Sequence, residues 1–391
     1  MDKHLLKVLM ISNLPVDYSN IRGGVESAVI NLLTGFSKLK IDVQLVNFPT
    51  TNKHQPSTNF SENISSLFIP TGLTSNYIYN YLFHGRREIK KIIKNYRPDL
   101  IHIQGTGPQL LLLNKKELKN AIVTQHGIMK EERKHQIGIK KSLKFFLKSV
   151  IETKYLPMVK NIIFISDYSK IFSTTDGLIN STKIPNAIND EFFHLDRLKI
   201  NLNKIIYVGA INKRKGLINI LTALQILKNR GKNFNLDIIG DFTDSAYEAL
   251  IKNYLNSHSI SDNVTSYGWQ PPNSIIDIMK DNSLFILASY QETLPVSIAE
   301  AMAAGLVVIA NDVGGISEMF IDNQSGFLFK NNNINDLVQI LEKLYNNSNM
   351  VDEISKNANS FAKIHYKLDT IAQQTFNFYT RVSKSSLRLK L

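Results

Sequence analysis

Short runs rich in apolar and β-branched residues recur along this chain, and the series starts twice. The first set covers residues 7–12, 41–48, 99–104, 121–126 and 161–166, with helix-type patterns at 25–39 and 85–96 between some of them. The theme restarts at Lys204-Ile205-Ile206-Tyr207-Val208-Gly209 and continues at 234–240, 263–267, 283–288, 306–310 and 326–329. Strands alternating with helices predict a parallel, doubly wound α/β sheet, and the second start predicts a second one. The expected fold is α/β, with two Rossmann-like domains facing a central cleft, where ligands of such sheets collect. The length of 391 residues suits two domains. The expected boundaries are 1–190 and 191–370, with a polar linker around 188–203 and a segment 371–391 returning to the first domain.

The chain has no cysteine, which excludes a disulfide framework and a cysteine metal site. The N-terminal apolar run is too short for a membrane span, and no run of about 18 apolar residues occurs. A cytoplasmic protein is expected, at most peripheral at the inner face of the cytoplasmic membrane. The net charge of +13 is unevenly placed: residues 1–190 carry 26 Lys and Arg against 14 Asp and Glu, and the remainder 20 against 19. A basic half suggests an anionic partner, or simply a lysine-rich solvated surface.

Glu292 and Glu300 stand eight positions apart across a predicted loop and helix start. Residues 296–304 are apolar or small apart from Ser297 and Glu300. A helix apolar nearly all round is usually buried, and an ionised group in it is costly unless paired or hydrogen-bonded. A core contact or a ligand with several hydroxyls would meet Glu300's need. Pro295 suits a first helical turn, and the free amides there, near Thr293, Leu294 and Val296, form a ready anion site. A carboxylate before the helix, an anion site at its start and a carboxylate within it fit one extended ligand, a nucleotide diphosphate-sugar.

Other signals are weaker alone. Gly23 and Gly24 open a helix and let a ligand approach the backbone; Glu26 after them could orient an acceptor or cap that helix. His126 ends a strand, the favoured place for function in open α/β sheets. Lys213-Arg214-Lys215-Gly216 could neutralise a phosphate or form an exposed basic turn. Glu318 sits after Gly314-Gly315 at a predicted helix start. Residues 129–160 read as a basic amphipathic helix, either lying on an anionic membrane or packed with a solvated lysine face.

Glu292 to Glu300, the following Ala301-Met302-Ala303-Ala304-Gly305, Gly314-Gly315 with Glu318, and Ser325-Gly326-Phe327-Leu328 together resemble the retaining glycosyltransferases of family 4, which have the GT-B fold. The resemblance implies that Glu300 binds the ribose hydroxyls and Glu292 a hydroxyl of the donor sugar. It makes Lys215 the phosphate lysine, places His126 against the donor sugar, and puts Gly23, Gly24, Arg214, Thr293, Leu294, Pro295, Val296 and Glu318 around the donor. Relatives often carry Arg where this chain has Ala210.

The implied reaction moves a hexose-type sugar from a UDP- or GDP-sugar to an acceptor hydroxyl with retention, by same-face attack in which the leaving phosphate takes the proton. Glu292, His126 and Lys215 are the expected catalytic residues. No cofactor is expected, and no metal, since no Asp-x-Asp motif occurs. The implied acceptor is a glycan or lipid-linked glycan of lipopolysaccharide, capsule or exopolysaccharide assembly. Alternatives are a nucleotide-sugar epimerase, a phosphorylase, for which no cofactor-lysine pattern is present, and a basic membrane- or nucleic-acid-binding scaffold with a degenerate site. Nucleic acid is not an expected partner.

Overall fold

The computed structural model describes residues 5–48, 58–70, 81–135, 138–172, 180–195, 200–330 and 333–388. The chain divides into two compact units, Met1–Ala187 with Leu368–Leu391, and Ile188–Lys367.

The first unit holds an eight-stranded sheet in the order β3-β4-β2-β1-β5-β6-β7-β8. Its strands are β1 (Leu6–Ser12), β2 (Ile41–Asn47), β3 (Thr58–Ser61), β4 (Ile64–Phe68), β5 (Leu100–Gln104), β6 (Ile122–Gln125), β7 (Asn161–Phe164) and β8 (Asn180–Lys183). All pair in parallel except edge strand β3, which runs antiparallel to β4. The helices are α1 (Gly24–Phe36), α2 (Arg86–Tyr96), α3 (Lys115–Asn120), α4 (Met129–Arg133), α5 (Ile139–Tyr155) and α6 (Asp167–Ile171). A parallel sheet is covered on both faces, so its central strands are apolar on both sides. β1 shows this directly. Val8 and Met10 pack in one core with Val29 and Phe36 of α1, while Leu9 and Ile11 pack in the other with Ile89 of α2, Leu118 of α3 and Ile151 of α5.

The second unit holds a six-stranded parallel sheet in the order β11-β10-β9-β12-β13-β14. The strands are β9 (Lys204–Val208), β10 (Asn235–Ile239), β11 (Val264–Gly268), β12 (Leu284–Leu287), β13 (Val307–Asn311) and β14 (Phe327–Phe329). Its helices are α7 (Leu217–Asn229), α8 (Ser245–Ser257), α9 (Pro272–Lys280), α10 (Val296–Ala303), α11 (Ile334–Tyr345) and α12 (Ser348–His365). The chain winds outward from β9 through β10 and β11, then returns to β12 on the opposite side of β9. This reversal between β9 and β12 is the place where open α/β sheets bind ligands, beyond the carboxyl ends of the strands.

The last helix, α13 (Leu368–Arg388), belongs to the first unit. It buries Ile371, Phe378, Tyr379 and Val382 in the core that α1 helps form. Gly35 permits the contact, since a Cβ there would sit 2.4 Å from the Cβ of Ala372. The Tyr379 hydroxyl meets Nδ1 of His102 at 2.5 Å, and Nε2 of His102 meets Thr124 at 2.7 Å. Burial lowers the His102 pKa to about 3, so it works here as a neutral structural group.

One reading of the sequence needs correction. Residues 129–160 do not form one amphipathic helix. They form α4 and α5, parted at Gly138, whose φ of +90° is open to glycine and rare for other residues. β7 then begins at Asn161.

Candidate donor site

The turn after β9 and the loop after β12 are stitched together by five contacts. Gly216 has φ +67°, and a Cβ on it would lie 1.9 Å from the carbonyl oxygen of Ala288. The Tyr290 amide donates to the Arg214 carbonyl at 2.8 Å, and the Arg214 guanidinium donates to the Gln291 carbonyl at 2.6 Å. Lys215 Nζ reaches Glu292 Oε1 at 2.5 Å, with Arg214 Nη1 3.3 Å from the same oxygen. Asn212 caps the basic turn by accepting from the Lys215 amide. A third loop supports Glu292 from behind. Gly314 has φ +60°, its Cβ position falls 1.8 Å from the Glu292 carbonyl oxygen, and the Gly315 amide donates to that oxygen at 3.3 Å. Close backbone approach therefore requires glycine at both Gly216 and Gly314.

Glu292 is buried. Burial pushes its carboxyl upward, but the charges of Lys215 and Arg214 outweigh this and hold it below the usual carboxylate range. It is ionised and shared between two cations. Burying such a triad costs desolvation that the Coulomb attraction offsets only with good geometry, which is reason to look for a use beyond stability.

Glu300 differs. It lies on α10, whose Val296, Ile298, Ala299, Ala301, Met302 and Ala303 are buried. Its carboxylate has no hydrogen-bond or ion-pair partner among the described residues, and burial raises its pKa to about 7. Pro295 caps α10 rather than entering its first turn. Thr293, Leu294 and Val296 are buried beside it. The Gln291 side-chain nitrogen is also buried without a hydrogen-bond partner among the described residues, and no sequence signal points to it. Glu318 lies on the short turn Ile316–Glu318, where its charge raises the Tyr366 hydroxyl pKa after burial has done so.

In the first unit, His126 follows β6. Its Nε2 meets Gln104 Oε1 at 2.8 Å and its Nδ1 meets Asn186 Oδ1 at 3.1 Å. Burial lowers its pKa to about 4, so the ring is neutral near pH 7, and its single N–H donates to one of these two amide oxygens only. Gln104 and Asn186, which fix the ring, are invisible to spacing because they come from separate strand ends. Gly23 and Gly24 are exposed at the start of α1. The Glu26 carboxylate is engaged locally, accepting from the Arg22 amide at 2.9 Å and the Gly23 amide at 3.2 Å. Capping is thus the role the geometry gives it. Among the described residues no group of His, Asp or Glu is placed to hold a metal ion, and no helix is long and apolar enough to cross a membrane.

The family model for glycosyl transferases group 1 matches residues 191–361, and that for glycosyltransferase family 4 matches 22–192. The chain belongs to these glycosyltransferases. An uncharacterized glycosyltransferase of Methanocaldococcus jannaschii is 26% identical over 92% of this chain and 94% of its own. The capsular polysaccharide biosynthesis glycosyltransferase CapM of Staphylococcus aureus is 23% identical over 63% of this chain and 68% of its own. Among solved structures, sucrose-phosphate synthase of Thermosynechococcus elongatus superposes with a TM-score of 0.81 at 17% identity, covering 97% of this chain and 100% of that one. HepE of Anabaena in complex with UDP-glucose gives 0.71 at 15% identity, covering 96% and 100%. These likenesses establish the GT-B fold for this glycosyltransferase.

Proposed function

We propose that this glycosyltransferase moves a hexose-type sugar, with retention, from a UDP- or GDP-sugar held by the second unit. The observation that carries the reading is the gathering of Lys215, Arg214 and Glu292 at the β9/β12 reversal, in the loop that leads into α10, the helix that carries Glu300. Cations at 2.5 and 3.3 Å from one carboxylate are positioned to exchange it for a diphosphate. The α10 amides add a positive helix end, and together these groups stabilise the charge that builds on the departing phosphate. Released from Lys215, the Glu292 carboxylate becomes an acceptor for a sugar hydroxyl. Glu300, with no partner among the described residues, suits a pair of ribose hydroxyls. His126, Gly23, Gly24 and Glu318 keep the donor-side roles that the family resemblance implies, with His126 acting as a neutral hydrogen-bonding group. The leaving phosphate takes the acceptor proton, and no metal is needed.

The experiment is a thermal-shift panel of UDP-, GDP- and ADP-sugars. One donor class should raise Tm in the wild type and fail to do so in Glu300→Ala. Equal shifts in both proteins would remove Glu300 from the site, and no shift with any donor would count against the donor reading.

The acceptor is proposed to be a lipid-linked glycan of a surface polysaccharide; CapM, a capsular polysaccharide biosynthesis glycosyltransferase, is in keeping with the polysaccharide part of that reading. The outer face of α5 supports a membrane location. Leu143, Phe146, Leu147 and Val150 recur at i, i+3, i+4 and i+7 and stay exposed, from 38 to 57%. Lys144 and Lys154 flank them, and Arg133 stacks over the Phe146 ring at 4.6 Å. An apolar stripe with a basic border is the pattern of a helix lying in an anionic interface. The protein should sediment with phosphatidylglycerol vesicles and much less with neutral ones, and Phe146→Ser with Leu147→Ser should abolish the difference. Unchanged sedimentation of that double variant would exclude α5 as the contact.

A further inference from the structure

The inner face of α5 carries a carboxylate that the proposed reaction does not use. Glu152 is 7% exposed. Its Oε1 accepts from the Thr106 hydroxyl at 2.5 Å, and its Oε2 accepts from the Met129 amide at 2.9 Å. Thr106 lies two residues beyond Gln104, the residue that holds His126 Nε2. Met129 lies three residues beyond His126 itself. A single side chain thus ties the loops after β5 and β6 to one surface helix, and both routes end at the same imidazole. A plain structural tie would be served by a neutral side chain. A carboxylate held by neutral donors is desolvated without a cation to offset the loss.

We propose that Glu152 is a positioning residue: ionised, it clamps the loops that follow β5 and β6 and so fixes His126, and protonation loosens this clamp and slows sugar transfer. The inference rests on the glycosyltransferase reading for its consequence, but not for its structural content. The ionised carboxylate accepts both bonds at full, charge-assisted strength. The protonated acid carries its hydrogen on one oxygen, so the Thr106 hydroxyl must turn from donor to acceptor, and both contacts become neutral hydrogen bonds of roughly half the strength. Burial chiefly, and then the charge of Glu132, raise the Glu152 pKa, while the bonds from Thr106 and Met129 act the other way; the result is about 7. The switch therefore falls in the ordinary working range. The charged and titratable neighbours are few. Glu132 faces it from α4, and Lys148 lies one turn earlier on α5 within range of the Glu132 charge. The loop after β5 contributes the neutral Thr106.

The test uses the full chain with 13C-labelled methionine methyl groups. The Met129 signal, assigned through Met129→Leu, should titrate with a midpoint near pH 7 in the wild type and at a lower pH in Glu132→Gln, which removes the charge that helps raise the Glu152 pKa. It should not titrate in Glu152→Gln. In donor turnover, wild-type kcat should fall several-fold from pH 8 to pH 6. Glu152→Gln should show the low value at both, with the donor KM within about twofold of wild type. A Met129 methyl that does not titrate, or that titrates equally in Glu152→Gln, overturns the clamp. So does a Glu152→Gln variant of lower Tm whose kcat profile keeps the wild-type shape, because that is the mark of a merely structural residue. If the wild type turns over no donor, the glycosyltransferase reading of the site fails, and the methyl titration still decides the clamp.

Discussion

Lys215→Ala should lower kcat/KM for the donor by about 10²–10³-fold, the usual consequence of removing one preorganised group that faces charge developing in the transition state. The lysine is placed for this by local necessity. β9 ends at Val208, and Asn212 caps the turn that follows it. Gly216 at φ +67° presses that turn onto Ala288 with no room for a side chain. Lys215 is thereby held 2.5 Å from Glu292. Removing it has a second effect. The cation left beside Glu292 is Arg214, at 3.3 Å, and a buried charge that loses its main partner destabilises the fold by about 3 kcal/mol or more. Activity and stability would fall together, so the single variant is ambiguous.

The cycle with Glu292→Gln separates them. Lys215→Ala/Glu292→Gln leaves no buried carboxylate short of its cation, and its Tm should return toward wild type. Its kcat should stay low, because the phosphate has still lost its cation and the donor sugar has lost its carboxylate acceptor. Recovery of kcat along with Tm would show that Lys215 matters only as the partner of Glu292, and the phosphate role would be wrong. In the proposed reading Arg214, 3.3 Å from Glu292, is the second positive charge of the turn. Its guanidinium is anchored to the Gln291 carbonyl, which makes it a fixed rather than a wandering charge.

Which parts of this arrangement are legible in sequence follows from what each part depends on. Five strands of the second sheet have buried apolar cores that stand out as compact runs, and the sixth, β11, is a mostly exposed edge strand with only Val264 and Tyr267 as large apolar or aromatic residues. β3, Thr-Asn-Phe-Ser, and β8, Asn-Ser-Thr-Lys, escape such a reading because each is a polar edge strand. β4 escapes it because Ser66 interrupts the run. That serine is buried at a core position, and the Tyr18 hydroxyl meets it at 2.6 Å, a long-range partner that no local pattern reveals. The break at Gly138 is present in the sequence as a glycine, but the apolar spacing on either side of it reads as continuous. The same division holds at the site. The Glu292 and Glu300 spacing is local and can be read. The stitching of Arg214 to Gln291, the seating of Gly314 on Glu292, and the binding of His126 by Gln104 and Asn186 depend on which strands end side by side. Topology sets that, and a linear spacing does not carry it.

Glu300→Gln should stabilise the protein at pH 8.5 by about 2–3 kcal/mol, the free-energy equivalent of its raised pKa, give little change at pH 5, and weaken nucleotide binding by roughly tenfold or more. The stability part follows from linkage. The carboxyl has an ordinary value of 4.5 and a folded value of about 7. A folded pKa raised above the unfolded one means stability that is complete below 4.5 and is lost as pH rises through 7, since the unfolded state sheds the proton first. Each tenfold change in proton affinity between the two states corresponds to about 1.4 kcal/mol, reduced here because the side chain retains part of its exposure. Glutamine cannot ionise and escapes this penalty. The binding part has the opposite sign. Ribose hydroxyls donating to the carboxylate favour its ionised form, so nucleotide binding should release a proton near neutral pH, and wild-type affinity should rise as pH passes 7. Calorimetry in two buffers of different ionisation enthalpy measures that proton directly, and Glu300→Gln should show none. A variant less stable than wild type at pH 8.5, or a wild type that binds nucleotide with no proton release, would mean that Glu300 is satisfied within the protein. The expected outcome, more stable and less able to bind, is the trade between stability and function found where a site keeps an unpaired group ready for its ligand.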